Sequence, residues 1–401
     1  MSYTNCVIGT SFPDAYSISD IRLRNMMDTK KELSIVNHFS SLRDPRQAHK
    51  TAHSLMDILI LTLCAVLSGA DTWVDVQAFG QAKKEWLKTY LDLSNGIPSH
   101  DTLGRVFSLI NPEELERCFK SWIAAIAGQI KGVVPIDGKT LRRSFDSATG
   151  KSAIHMISAW STEAGLVLGQ LKTEDKSNEI TAIPKLLKLL ALKGCIVTID
   201  AMGCQKEIAQ AIQEQGADYV LALKGNQQGL YDEVYDLFQK AHECNFDGFT
   251  WSEFQSANQS HGRLENRHYW TIELAGELER VAEWLNLNTI VMVESISQKT
   301  GQEEAREFRF YISSMKGDAQ EFAQVIRSHW GIENSLHWVL DVAFREDDSR
   351  IRKDHAAENF SLIRRLALNL LKNESTVKTG IKAKRLRAGW DETYIWNVLG
   401  G

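Results

Sequence analysis

The order of apolar runs between residues 132 and 224 restricts this chain more than any other feature. Val133-Val134-Pro135-Ile136 makes a short buried-strand signal, and Asp137 follows where the apolar run stops. Gly138 then frees the backbone, with Lys139, Arg142 and Arg143 close behind. Ala153 to Ser161 and Leu166 to Lys172 are β-tolerant runs separated by Thr162-Glu163-Ala164-Gly165, as in a hairpin. A helix is expected from near Pro184 through Leu190. Cys195 to Ile199 is a second buried strand that runs into an acid, Asp200. Gln205 to Gln215 reads as helix and stops at Gly216, and Tyr219 to Lys224 is a third such strand. A strand–helix–strand unit of this kind requires a right-handed crossover joining parallel strands.

Three antiparallel strands followed by parallel ones predict an α/β fold with a ribonuclease-H-like core. The flanking sequence has a different texture. Residues 1 to about 130 read as helix almost throughout: Leu55 to Leu67 is apolar nearly all round, and Val74 to Leu93 is amphipathic. Ser99 can cap a helix through Ile110, and Asn111-Pro112-Glu113-Glu114 opens the next with a cap, a first-turn Pro and a capping-box acid. Trp251 to Glu273 and Thr289 to Ser314 alternate and are rich in Thr, Tyr, Val and Ile, which marks a β-rich insertion over about 246–312. Helix resumes at Ala319 and continues through Leu340. The expected layout is an all-helical N-terminal domain over 1–130, a second domain over 131–349 that carries the insertion, and a helical basic tail over 350–401.

A chain of 401 residues is too long for one small core, and only six prolines argue against long disordered linkers. Six scattered cysteines without a Cys-x-x-Cys pair exclude a zinc ribbon and fit reduced cytoplasmic thiols. The first residues lack the basic start and apolar core of a signal peptide, and the longest uncharged apolar run, Ile58 to Ala70, is too short to span a bilayer. A cytoplasmic protein with no membrane partner is expected. Net charge is −5, yet Arg345 to Arg387 holds twelve Lys/Arg against six Asp/Glu, so a basic face can sit on a mildly acidic whole.

Asp137 and Asp200 lie at strand ends that this topology places side by side, and Glu333 on the late helix is the third candidate. Two unit charges at 4 Å repel by about 4 kcal/mol even at an effective dielectric near 20. Three carboxylates together therefore take up a proton or hold a cation, and oxygen ligands suit Mg²⁺ or Mn²⁺. Such ions serve phosphodiester chemistry, and the cations beside Asp137 fit a phosphate. Paired carboxylates also serve glycoside hydrolysis, for which those cations have no use. The Glu346 to Asp348 run, beside Arg345 and Arg350, reads as a solvated, self-paired cluster.

The chain resembles the DDE transposases of bacterial insertion sequences, most closely the H-repeat-associated proteins. The resemblance runs over essentially the whole length. It is carried by Arg43-Asp44-Pro45-Arg46, Gly96-Ile97-Pro98-Ser99-His100-Asp101-Thr102, Ile136-Asp137-Gly138-Lys139-Thr140 and Lys176-Ser177-Asn178-Glu179-Ile180. Thr198 to Gln205, Leu223 to Gln227, Ser260-His261-Gly262-Arg263 and His329-Trp330-Gly331-Ile332-Glu333-Asn334 complete the set. It implies Asp137, Asp200 and Glu333 as catalytic metal ligands, and an insertion between the second Asp and the Glu. It also implies metal-dependent cleavage of DNA at the ends of an element, terminal inverted repeats, and joining of the 3′-hydroxyl to target DNA. The same resemblance implies a homodimer in the active complex and association with the nucleoid when DNA is bound. The alternative is an inactive or domesticated relative acting as a DNA-binding regulator, against which the intact triad argues. Where the hairpin-forming branch carries Tyr, Arg and Lys around the Glu, this chain has Ile326, His329 and Leu340.

Lys139, Arg142, Arg143, His261, Arg263, His329 and Trp330 are the candidate DNA contacts. Trp330 lines up with a Trp of the hairpin-forming branch, where it would stack on an unpaired base. His329, Glu333 and His337 share a helix face at i, i+4 spacing. With no cysteine partner nearby, phosphate contact or packing is expected of the two histidines rather than zinc.

Overall fold

The computed structural model describes residues 35–145, 150, 152–173, 179–260, 263–299 and 303–400. Nine strands share one sheet: β1 (Gly132–Thr140), β2 (His155–Ser161), β3 (Leu166–Thr173), β4 (Cys195–Ile199), β5 (Asp218–Leu223), β6 (Thr250–Ser260), β7 (Arg263–Glu273), β8 (Thr289–Lys299) and β9 (Ala305–Ser313). Their spatial order is β3-β2-β1-β4-β5-β9-β8-β7-β6. The first three strands pair antiparallel, and β4 runs parallel to both β1 and β5. The antiparallel-then-parallel order is as expected.

The β-rich segment is no detached lobe. β9 pairs antiparallel with β5, and β8, β7 and β6 follow outward in the same sheet. Without β9, the outer edge of β5 would present unpaired N–H and C=O groups.

Helices lie before, within and after the sheet region. α1 (Leu55–Leu67), α2 (Trp73–Ala82), α3 (His100–Leu109) and α4 (Pro112–Ala127) precede the sheet. The expected caps form: Ser99 Oγ accepts from the Thr102 N–H, and Asn111 Oδ1 accepts from Glu113 and Glu114. Within the sheet region lie α5 (Glu179–Leu187), α6 (Lys206–Glu214), α7 (Gln228–Glu243), α8 (Ala319–Ile332) and α9 (Trp338–Phe344). α5 begins five residues before Pro184, where Glu179 is anchored by His155. α10 (Ala356–Asn373), α11 (Ile381–Trp390) and α12 (Glu392–Gly400) close the chain. No helix among the described residues is long and apolar enough to cross a membrane.

Strand alternation divides β1 between two cores. Val134 and Ile136 join the larger core with α4, α5 and α6, while Val133 faces α8 with Val220, Val291 and Phe322. Asp137 and Lys139 share the Val133 face, and Gly138 lies on the other.

The C-terminal segment departs most from expectation. Every residue from Asn359 to Leu371 is buried, Arg364 and Arg365 included. α10 packs against α1, α3, α4 and β3, so the first and last parts of the chain form one helical body. Two amides clamp it: Asn359 donates to the Phe107 and Ile110 carbonyls, and Asn369 exchanges hydrogen bonds with the Val167 backbone.

Candidate metal centre

Register places the first two acids. Ile136 pairs with Ile199, so Asp137 and Asp200 are next across β1 and β4. Asp137 is not at a strand end, however. β1 continues to Thr140 because β2 still pairs with it there, opposite His155. β4 does stop at Ile199, and Asp200 caps the turn that follows by accepting from the N–H groups of Met202 (3.1 Å) and Gly203 (3.4 Å).

The third acid arrives on a distorted helix. Between α8 and α9 the chain winds into a π turn over Glu333–His337, a feature common at functional sites. His337 is buried, and its Nδ1 lies 3.1 Å from Glu333 Oε2 and 3.5 Å from Asp137 Oδ2. One ligand atom from each of Asp137, Glu333 and His337 lies within 4.8 Å of the others. His337 thus sits between two carboxylates. Its i, i+4 spacing from Glu333 was the legible signal; its burial and the π turn were not.

Burial pushes the Asp137 carboxyl up to about 6; the charges of Asp200 and Glu179 add to this, while His337 and the Gly138 N–H oppose it. Glu333 is held below the usual carboxylate range by the hydrogen bond from His337. The cluster is thus short of positive charge. Its donors, oxygen-rich with one imidazole, suit a hard divalent ion. His337 Nε2, buried with no hydrogen-bond partner among the described residues, marks an environment not yet fully satisfied.

Gly138 serves space rather than a turn. On the opposite face of β1, His155 Nε2 meets Glu179 Oε1 at 2.5 Å, and His155 Nδ1 meets Thr140 Oγ1 at 2.8 Å. A Cβ at 138 would collide with both His155 and Glu179. Gly138→Ala is expected to destabilise the protein by about 1–3 kcal/mol through overpacking, read as a lower urea midpoint. An unchanged midpoint would show that this space can be filled without cost.

The expected phosphate cations are already engaged. Lys139 is not free: it pairs with Asp341, Glu346 (3.5 Å) and Asp347 (3.4 Å), with a side chain only 10% exposed. Arg142 pairs with Asp347 and Arg143 with Asp348, though both guanidinium groups remain largely exposed. The Glu346 to Asp348 run is solvated and self-paired only at its far end, where Asp348 is exposed and pairs with Arg345. Glu346 is fully buried, accepting from Arg365 Nη1 (2.8 Å) and Ser361 Oγ (3.0 Å).

His329 Nδ1 lies 3.0 Å from Thr198 Oγ1, tying α8 to β4 just before Asp200, and burial depresses its pKa. Ile326 and Leu340 are buried, whereas Trp330 is half exposed under the Arg309 guanidinium. His261 and residues 176–178 lie outside the described residues, and Arg263 opens β7.

The chain matches the family model Transposase DDE domain over residues 128–370 and the model DDE_Tnp_1-associated over residues 36–123. The H repeat-associated protein YhhI of Escherichia coli K12, named as a transposase, is 45% identical over 94% of this chain and 99% of its own length. YncI of Escherichia coli O157:H7, also named as a transposase, is 46% identical over 91% of this chain and 94% of its own. A piggyBac transposase synaptic complex with hairpin DNA superposes with a TM-score of 0.42 at 9% identity, covering 94% of this chain and 80% of that one. That likeness is too low to bear on the fold.

Proposed function

The chain belongs to the DDE transposase family, and from that premise we propose that Asp137, Asp200 and Glu333 are the acids that hold its divalent ion. The protein is a DNA transposase, an enzyme of the DDE type that acts with a divalent metal ion. The observation that carries the site is the meeting of Asp137, Glu333 and His337 beside Asp200. We assign the ion as Mg²⁺, with Mn²⁺ as a substitute, and the catalytic core as ribonuclease-H-like. When bound, the ion supplies positive charge against the charge that builds on the scissile phosphate.

The chain's own groups do the rest. β1 and β4 fix two carboxylates one register step beyond their last pair, and the π turn swings Glu333 toward them. His337, with Nδ1 within reach of both Asp137 and Glu333, orients the two carboxylates. The reaction proposed is hydrolysis of phosphodiester bonds at terminal inverted repeats, followed by joining of the 3′-hydroxyl to target DNA. Trp330 stands exposed three residues before Glu333, available to stack on a base. A homodimer that engages two ends at once completes the proposal.

The test is cleavage of labelled end DNA with and without Mg²⁺. Cutting that persists in chelator would sink the metal reading. A second expectation follows from protonation. Because the Asp137 carboxyl keeps its proton up to about pH 6, protons compete with the ion. The thermal stabilisation produced by Mn²⁺ should be full near pH 8 and fade as pH falls through about 6. A shift in Tm that is flat from pH 8 to 5 would place the ion elsewhere.

A further inference from the structure

Several cations gather away from the metal centre. A groove of about 920 Å³ lies between α2, α3 and the segment that leads into α10. Trp73 and Ile351 contribute to its lining, as do Arg105, Arg350, Arg352 and Lys353, against only Asp101 and Asp354. Arg105, Arg350 and Lys353 are exposed and make no ion pair among the described residues. This differs from Lys139, Arg364 and Arg365, whose charges face acids or are buried. A net excess of positive charge in one groove, on a chain of net charge −5, is a local design rather than a general property.

We propose that this groove holds the sugar–phosphate backbone of duplex DNA, a contact that rests on the DNA transposase reading but uses none of the metal-binding residues. The apolar lining suits sugar faces, and the cations suit phosphates. One link joins the groove to the centre. Arg352 Nε donates to the Arg143 carbonyl (3.1 Å), and Arg143 lies three residues beyond the strand that carries Asp137. Backbone contacts of this kind position DNA without reading its sequence.

The experiment measures binding of a labelled duplex of arbitrary sequence to the full chain in chelator, across a series of salt concentrations. Each phosphate contact adds about 0.9 to the slope of log affinity against log salt. Arg350→Ala/Lys353→Ala should lower the slope by about 1.8 and weaken binding by about tenfold to hundredfold near 0.1 M salt. Arg105→Ala, on a separate element, should lower the slope by about 0.9. Lys193→Ala/Lys240→Ala removes the same charge from exposed positions elsewhere and should change neither. Groove variants that bind as the wild type does, or a control that loses as much as they do, would overturn the groove while leaving the DNA reading intact. A wild type that binds no duplex at any salt would overturn both.

Discussion

Glu333→Gln is expected to fold as the wild type does and to cut DNA about a thousandfold more slowly, or not at all. The substitution keeps shape and most hydrogen bonding but removes the charge that an ion needs, and several kcal/mol of transition-state stabilisation corresponds to about that factor. Glu333 is 56% exposed, and its one polar partner among the described residues is His337. The substituted amide can still hydrogen-bond buried His337, which also keeps Asp137 beside it. Asp137→Asn and Asp200→Asn should behave alike in cleavage while still binding end DNA. Unfolding midpoints and cleavage rates, measured on the same preparations, separate the two effects. Near wild-type cutting by Glu333→Gln would move the third ligand elsewhere.

The opposite outcome is expected thirteen residues on. Glu346→Gln should lower stability by about 3–5 kcal/mol, because it strands buried cations that the carboxylate neutralises. Burial pushes the Glu346 carboxyl up, but Arg365, Lys139 and Arg364 outweigh it and hold it at about 2, against an ordinary value of 4.5. A depressed pKa in the folded state stabilises fully above that ordinary value, and the contribution is lost as pH falls from about 4.5 toward 2. The wild type should therefore lose stability over that window, and Glu346→Gln should lose less. Urea unfolding at neutral and acid pH reads both effects. A variant with an unaltered midpoint would show that the network carries no net stability.

Much of the sheet was legible because its signals are local. The apolar run into Asp137, the run into Asp200 and the hairpin between Ala153 and Lys172 each declare themselves within ten to twenty residues, and the parallel crossover follows from their order. Register then sets the two aspartates one step beyond the Ile136–Ile199 pair, on neighbouring strands. What stayed hidden depends on partners far away in sequence. Lys139 looked available for phosphate because nothing nearby neutralises it; its acids lie about two hundred residues on. Arg364 and Arg365 looked like a basic face because charge suggests solvent, whereas Glu346 holds Arg365 in the core. His337 carried a spacing signal, but helix periodicity assumes regular winding, and the π turn breaks that assumption within the five residues that matter.

The placement of α10 has a consequence for the order of synthesis. Its buried face fills the space between helices made from the first third of the chain and the strand β3. On the ribosome, α1, α3 and α4 must wait for residues 356–373 before their core can close. A late stop codon or frameshift therefore removes the centre of the molecule rather than a dispensable tail. Decayed gene copies broken late in the reading frame should yield chains that chaperones and proteases clear, not DNA-binding fragments that compete with the intact enzyme.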